Sequence, residues 1–69
     1  MGLLNVTVIR SMIGKTLTSD IREISSRSGH TRFYFYTQSS RNKAYAKLMR
    51  SGQFNPVKIG RMVLGFHSL

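Results

Sequence analysis

Arg32-Phe33-Tyr34-Phe35-Tyr36-Thr37 is the stretch on which the reading of this chain turns. Aromatic and β-branched residues crowd it, as they do in strands. Strand side chains alternate between faces, so Phe33 and Phe35 share one face while Tyr34 and Tyr36 share the other. The phenylalanines are expected in a core and the tyrosines outside it. Immediately upstream, Ser25-Ser26-Arg27-Ser28-Gly29-His30 has the composition of a turn, with small hydroxyl residues and a glycine able to take positive φ. Before that, Thr18-Ser19-Asp20-Ile21-Arg22-Glu23-Ile24 is ambiguous. Asp20 followed by Glu23 has the spacing of a helix start, but the apolar run ends after Ile24, too short for a helix of its own. Read as a short strand, it completes a hairpin.

Outside the hairpin, Leu3 to Ile9 shows β-branched residues in near alternation, predicting an extended piece that Gly14 ends. Gln38 to Lys43 is polar and basic and reads as a loop. Ala44 to Arg50 has helix formers with Gly52 at the stop position, which predicts one or two helical turns. Phe54-Asn55-Pro56 is a turn signal, because proline confines the residue before it to extended geometry. Met62 to Phe66 reads as a last, apolar strand.

Charge bounds the function. Eleven Lys and Arg face two acids, Asp20 and Glu23, for a net charge of +9 and a pI near 11.4. So many like charges on 7.9 kDa disfavour a compact state. A polyanion relieves the repulsion and releases counterions as it binds. A domain of 69 residues buries only roughly 60% of the surface of its unfolded chain and usually recruits a disulfide, a metal or a partner. Cysteine is absent, and His30 and His67 fall short of the four ligands of a structural zinc site. The staple expected is therefore a partner, with no metal and no cofactor. No stretch approaches the roughly 18 apolar residues that span a bilayer, and the Gly-Pro punctuation argues against a long amphipathic helix on a membrane surface. Residues 1–19, with Arg10, Lys15, several hydroxyls and no acid before Asp20, read as a basic N-terminal extension or an organellar targeting segment. Residues 20–69 read as one small domain.

Catalytic patterns are weak. Two carboxylates three positions apart are more often a cap or an arginine partner than an acid–base pair. The Ser25, Ser26, Ser28 cluster lacks a nucleophile elbow, and the glycines are scattered singly. Enzyme function is not expected. The positive signal is basic residues interleaved with aromatics: Arg32, the run to Tyr36, then Arg41, Asn42 and Lys43. Arginine grips phosphate through a bidentate fork, and aromatic faces stack on unpaired bases. The plainer alternative is that both faces of the aromatic strand are core. The RNA-contact candidates are Arg32, Tyr34, Tyr36, Arg41, Asn42, Lys43, Lys47, Arg50, Lys58 and Arg61.

From Ser25 onward the order of features resembles a known family. A serine-glycine turn (Ser25, Ser26, Ser28, Gly29) precedes the aromatic strand ending in Thr37. Arg41-Asn42, Lys47-Leu48, the Phe54-Asn55-Pro56-Val57 turn and Val63-Leu64 follow. Over roughly residues 20 to 66 the chain is similar to the bacterial-type large-subunit ribosomal protein thirty-three family, in its zinc-free, mitochondrial-like form. The resemblance implies a small all-β domain, zinc-ribbon-like without zinc. Its three- to four-stranded antiparallel sheet would carry a short helical turn around 43–50 and an extended basic N-terminal arm. It puts Ser25, Ser28, Asn55 and Lys58 near the positions where zinc-binding members carry cysteines, and expects a strand from about Leu48 to Phe54. It further implies a structural role on large-subunit rRNA near the tRNA exit site, in the mitochondrial ribosome. Neighbouring ribosomal proteins would be partners, with exit-site tRNA a further candidate. The rival expectation is a free-standing small basic regulator that binds nucleic acid.

Overall fold

Two helices, a hairpin, a third helix and a second hairpin follow one another along the chain. They are α1 (Val6–Ile13), α2 (Lys15–Thr18), β1 (Ile21–Arg27), β2 (His30–Phe35), α3 (Gln38–Ser51), β3 (Val57–Ile59) and β4 (Val63–His67). The structure, a computed structural model, describes residues 6–67. The strands form one sheet in the order β1-β2-β4-β3 with every neighbour antiparallel. Since β4 runs against both β2 and β3, those two are parallel, and α3 is the crossover between them: a split β-α-β unit. The all-β expectation is therefore corrected. The molecule is a mixed α/β globule with a four-stranded antiparallel sheet and a 14-residue helix.

α3 replaces two expectations, the loop at 38–43 and the family-like strand from Leu48, and lengthens a third, the short helical turn at 43–50. Its start is built by Thr37, an extended N-cap whose Oγ1 accepts the Ser40 N–H at 3.1 Å and donates to Asp20 Oδ2 at 3.0 Å. Its end is Gly52 at φ 72, the left-handed cap that glycine adopts without steric cost. Between them Arg41, Ala44 and Leu48 form the buried seam, at the three- and four-residue spacing that faces a core.

The extended N-terminal arm is corrected too. Residues 3–5 of the expected strand lie outside the described residues, but Val6–Ile13 is helix and Ile9, Ile13 and Leu17 are buried. Strand propensity in Val6-Thr7-Val8-Ile9 yields to this apolar stripe of three residues at four-residue spacing, because burial outweighs the few tenths of a kcal/mol per residue that propensity supplies. The stripe packs with Phe33, Phe35, Ala44, Leu48, Leu64 and Phe66 in one core. Phe66 is its aromatic hinge, 5.3 Å from the Phe33 ring and 6.4 Å, edge-on, from Phe54. A cut after Thr18 would strip three buried side chains from that core. Lys47 ties the two parts together, donating from Nζ to the Ile13 carbonyl at 3.1 Å.

The ambiguous stretch before the hairpin is a strand with a bulge. Ile21 pairs with Phe35 but Glu23 with Tyr34, leaving Arg22 as the extra residue. The bulge lets Ile21 and Ile24, three apart, both turn toward the core, which a regular two-residue alternation forbids. The spacing that imitates a helix start is thus a strand irregularity.

Phe33 is 1% exposed in the central strand, so Phe33→Ala should cost about 3–5 kcal/mol. That is comparable to all a core this small supplies. Thermal unfolding followed by circular dichroism should lose its cooperative transition in Phe33→Ala and keep it in Tyr34→Ala.

Candidate nucleic-acid interface

Alternation along β2 defines the site. Thr31, Phe33 and Phe35 are buried under the helices, so His30, Arg32 and Tyr34 point to the opposite, outer face. The β1 register brings their partners to the same face: Arg27 opposite His30, Ser25 opposite Arg32, Glu23 opposite Tyr34. The hairpin closes through Ser28 and Gly29, both at positive φ as a tight two-residue turn requires. Together Ser25, Arg27, Ser28, His30, Arg32 and Tyr34 line a shallow open groove of about 390 Å³. The bulge residue Arg22 adds a third arginine among them, its guanidinium 5.5 Å from the centre of the Tyr34 ring. Glu23 is the single carboxylate beside this group; its 3.9 Å approach to Arg22 is half-exposed and contributes little.

The other half of the outer face is apolar. Val57 and Ile59 of β3 register with Gly65 and Val63 of β4. A Cβ on Gly65 would stand 2.5 Å from Ile59 Cδ1, so Ile59 lies across the glycine and any larger residue there would have to displace it. A basic, hydroxyl-bearing half with one half-buried aromatic, Tyr34, thus adjoins a flat apolar half. Such a surface can neutralise phosphates and stack or cover bases within one strand of nucleic acid.

The ten residues expected to touch RNA divide among several places. Arg32 and Tyr34 are on the outer face, and Tyr36, 57% exposed, follows at the end of β2. Lys43, Lys47 and Arg50 are exposed along one stripe of α3, on the helical layer, with Asn42 beside them. Arg61 is exposed in the β3–β4 turn, while Lys58 leans over the Tyr45 ring with Nζ 4.5 Å from its centre. Arg41 is removed from solvent. At 3% exposure its Nη1 donates to the Gly60 and Val63 carbonyls at 3.2 Å each, and its Nε donates to Asn42 Oδ1 at 2.8 Å. It clamps α3 to the β3–β4 turn. Arg22, Arg27 and His30 were not among the expected contacts. The signal for Arg27 and His30 is the hairpin itself, since residues flanking a two-residue turn face each other and share the parity of Arg32 and Tyr34.

The positions that the resemblance assigns to metal ligands are not gathered. Ser25 registers with Arg32, Arg32 with Gly65 and Gly65 with Val57, the neighbour of Lys58. That is three strand spacings, or about 14 Å, from one sheet edge to the other. Among the described residues no three His, Cys, Asp or Glu come close enough to share a metal ion.

Arg41→Ala should therefore act on stability. Leaving the two carbonyls unpaired costs roughly 1–3 kcal/mol, visible as a lower urea midpoint. Comparisons with protein-family models, with curated proteins and with solved structures gave no match for this chain.

Proposed function

We propose that the protein binds RNA, holding a single strand across the outer face of its sheet. One observation carries the reading: the hairpin register that aligns Arg27, His30, Arg32 and Tyr34 on the face turned away from the core, with Arg22 over the tyrosine. Phosphates pair with the arginines, and a base stacks on the Tyr34 ring when the mobile arginine head swings aside. In its narrower form this is a structural constituent of the large ribosomal subunit, supported by the excess charge and by the order of features from Ser25 to Leu64. Ribosomal RNA, near the tRNA exit site, and neighbouring ribosomal proteins would then be the partners, in a mitochondrial setting. With α3 where that family resemblance implies a strand, the narrower form stands on residues and charge without the fold.

A second reading, a free-standing nucleic-acid-binding regulator, is favoured by the core, whose nine buried apolar residues lie within the chain itself. Co-sedimentation of a tagged copy with large subunits through a moderate salt wash supports the ribosomal form; binding of free RNA without co-sedimentation supports the regulator.

The shared claim is tested by fluorescence anisotropy with a 12-nucleotide single strand. Three arginine–phosphate contacts give a log–log salt slope of about −2, a fall of roughly 20-fold in affinity from 50 to 200 mM. Arg32→Ala should make the slope shallower by about 0.7. Tyr34→Ala should weaken binding by about 1–3 kcal/mol at every salt concentration. A parent slope near zero would overturn the claim.

A further inference from the structure

The outer sheet face leaves a second group of cations unused. On the opposite, helical layer, Lys43, Lys47 and Arg50 follow one another at four- and three-residue spacing along α3, all exposed. Two helical turns separate the ends of this stripe, about 10 Å. Lys47 reaches the end of α1, and its Nζ would lie 3.8 Å from a Cβ on Gly14. That brings the stripe beside Lys15, the residue after Gly14, which with Arg10, Thr7, Ser11 and Thr18 lines an open groove between α1 and α2. Among the described residues no salt bridge engages Lys43, Lys47, Arg50 or Lys15, whereas Arg10 borders a small pocket that Glu23 also lines. Asp20 is engaged by Thr37 at the start of α3, and Glu23 sits beside Arg22 on the sheet.

We propose that this stripe is a second nucleic-acid surface, taking the phosphate backbone of a duplex, so that one molecule bridges two RNA segments across its own thickness. The inference rests on the reading of the outer face as a single-strand site. The choice of occupant follows from chemistry. The stripe offers point charges and hydroxyls but no exposed aromatic ring, so it can hold phosphates without reading unpaired bases. Tyr45, the ring on α3, is half-buried beneath Lys58, whereas the sheet side ends in Tyr36, 57% exposed beyond the half-buried Tyr34, and suits the unpaired strand. Between them lies the apolar layer of Ile9, Ile13, Phe33, Phe35 and Leu48. The shortest extent of the Cα trace is 17 Å, about twice the Debye length of roughly 8 Å at physiological salt. Two polyanions on opposite layers are therefore largely screened from each other, and both can occupy one molecule. Placing cations on both layers also spreads the unbalanced charge that would otherwise concentrate on one.

The test uses the full chain, a biotinylated 12-nucleotide single strand on beads and a fluorescent 20-base-pair RNA duplex. The expected result is capture of the duplex only when protein is present, with one protein per strand and per duplex by analytical ultracentrifugation. Lys43→Glu with Arg50→Glu should cut duplex capture at least 10-fold and leave single-strand affinity within about threefold; Lys47 is spared because it caps α1. Arg27→Ala with Arg32→Ala should do the reverse, losing the single strand while duplex binding persists. Circular dichroism confirms that each variant is folded. A parent that binds the single strand but captures no duplex overturns the bridge and leaves the sheet-face reading standing. Capture by two protein copies, or capture undiminished in the α3 variant, also overturns it. Failure to bind either RNA overturns both readings.

Discussion

Phe33 and Phe35 project into the space between sheet and helices, and the residues between and beside them project out of it. That alternation on one central strand separates the buried core from the outer, solvated face of the sheet. Removing the two rings would deprive α1 and α3 of the surface they cover. Shifting β2 by one residue would exchange Phe33 and Phe35 for Arg32, Tyr34 and Tyr36, burying a charge while exposing the rings. The outer groove and the core are consequently two aspects of one register, and neither can be altered alone. The paired turn residues Ser28 and Gly29 hold that register at the hairpin's closed end.

A second constraint is the clamp around Arg41. A buried guanidinium with no carboxylate partner is an expensive choice for a chain already at +9. Its hydrogen bonds to the Gly60 carbonyl in the β3–β4 turn, to the Val63 carbonyl at the start of β4 and to Asn42 offset much of that desolvation. What it secures is the position of β3, a strand of only three residues that hydrogen bonding to β4 alone would hold weakly. Ile59 seated over Gly65 completes the attachment from the other face. The same residue type thus stands in two unrelated settings here: Arg32 and Arg27 are solvated on the outer face, whereas Arg41 is buried and structural.

How much of this was legible depended on whether local pattern and tertiary packing agreed. They agree in Arg32 to Thr37, where aromatic alternation and burial coincide, and at Gly52, where a stop residue meets a real helix end. They disagree at Val6 to Ile9, whose β-branched alternation reads as strand; the stripe Ile9, Ile13, Leu17 makes sense only once a sheet exists to receive it. They disagree again at Gln38 to Lys43. Serine and asparagine are poor helix formers, the first turn has no acid, and only the Thr37 cap linked to Asp20, 17 positions away, shows that a helix begins there. Of the site, charge and the aromatic run were readable, as was the outward placement of the tyrosines. The burial of Arg41 was not, because it depends on carbonyls about twenty residues downstream that no local window contains. Nor was the part played by Arg22, which exists only because of a bulge.

The placement of α1 has a consequence for how the molecule comes into being. Ile9 and Ile13 are made well before Leu48 and Leu64, which share their core. At about 5–20 residues per second, the 51 positions from Ile13 to Leu64 take roughly 3–10 s to synthesise. Throughout that interval a nascent chain exposes an apolar stripe flanked by Arg10 and Lys15, a combination suited to transient adhesion on anionic surfaces nearby. Closure of this core waits on the β3–β4 hairpin, which brings Leu64 and Phe66 to it.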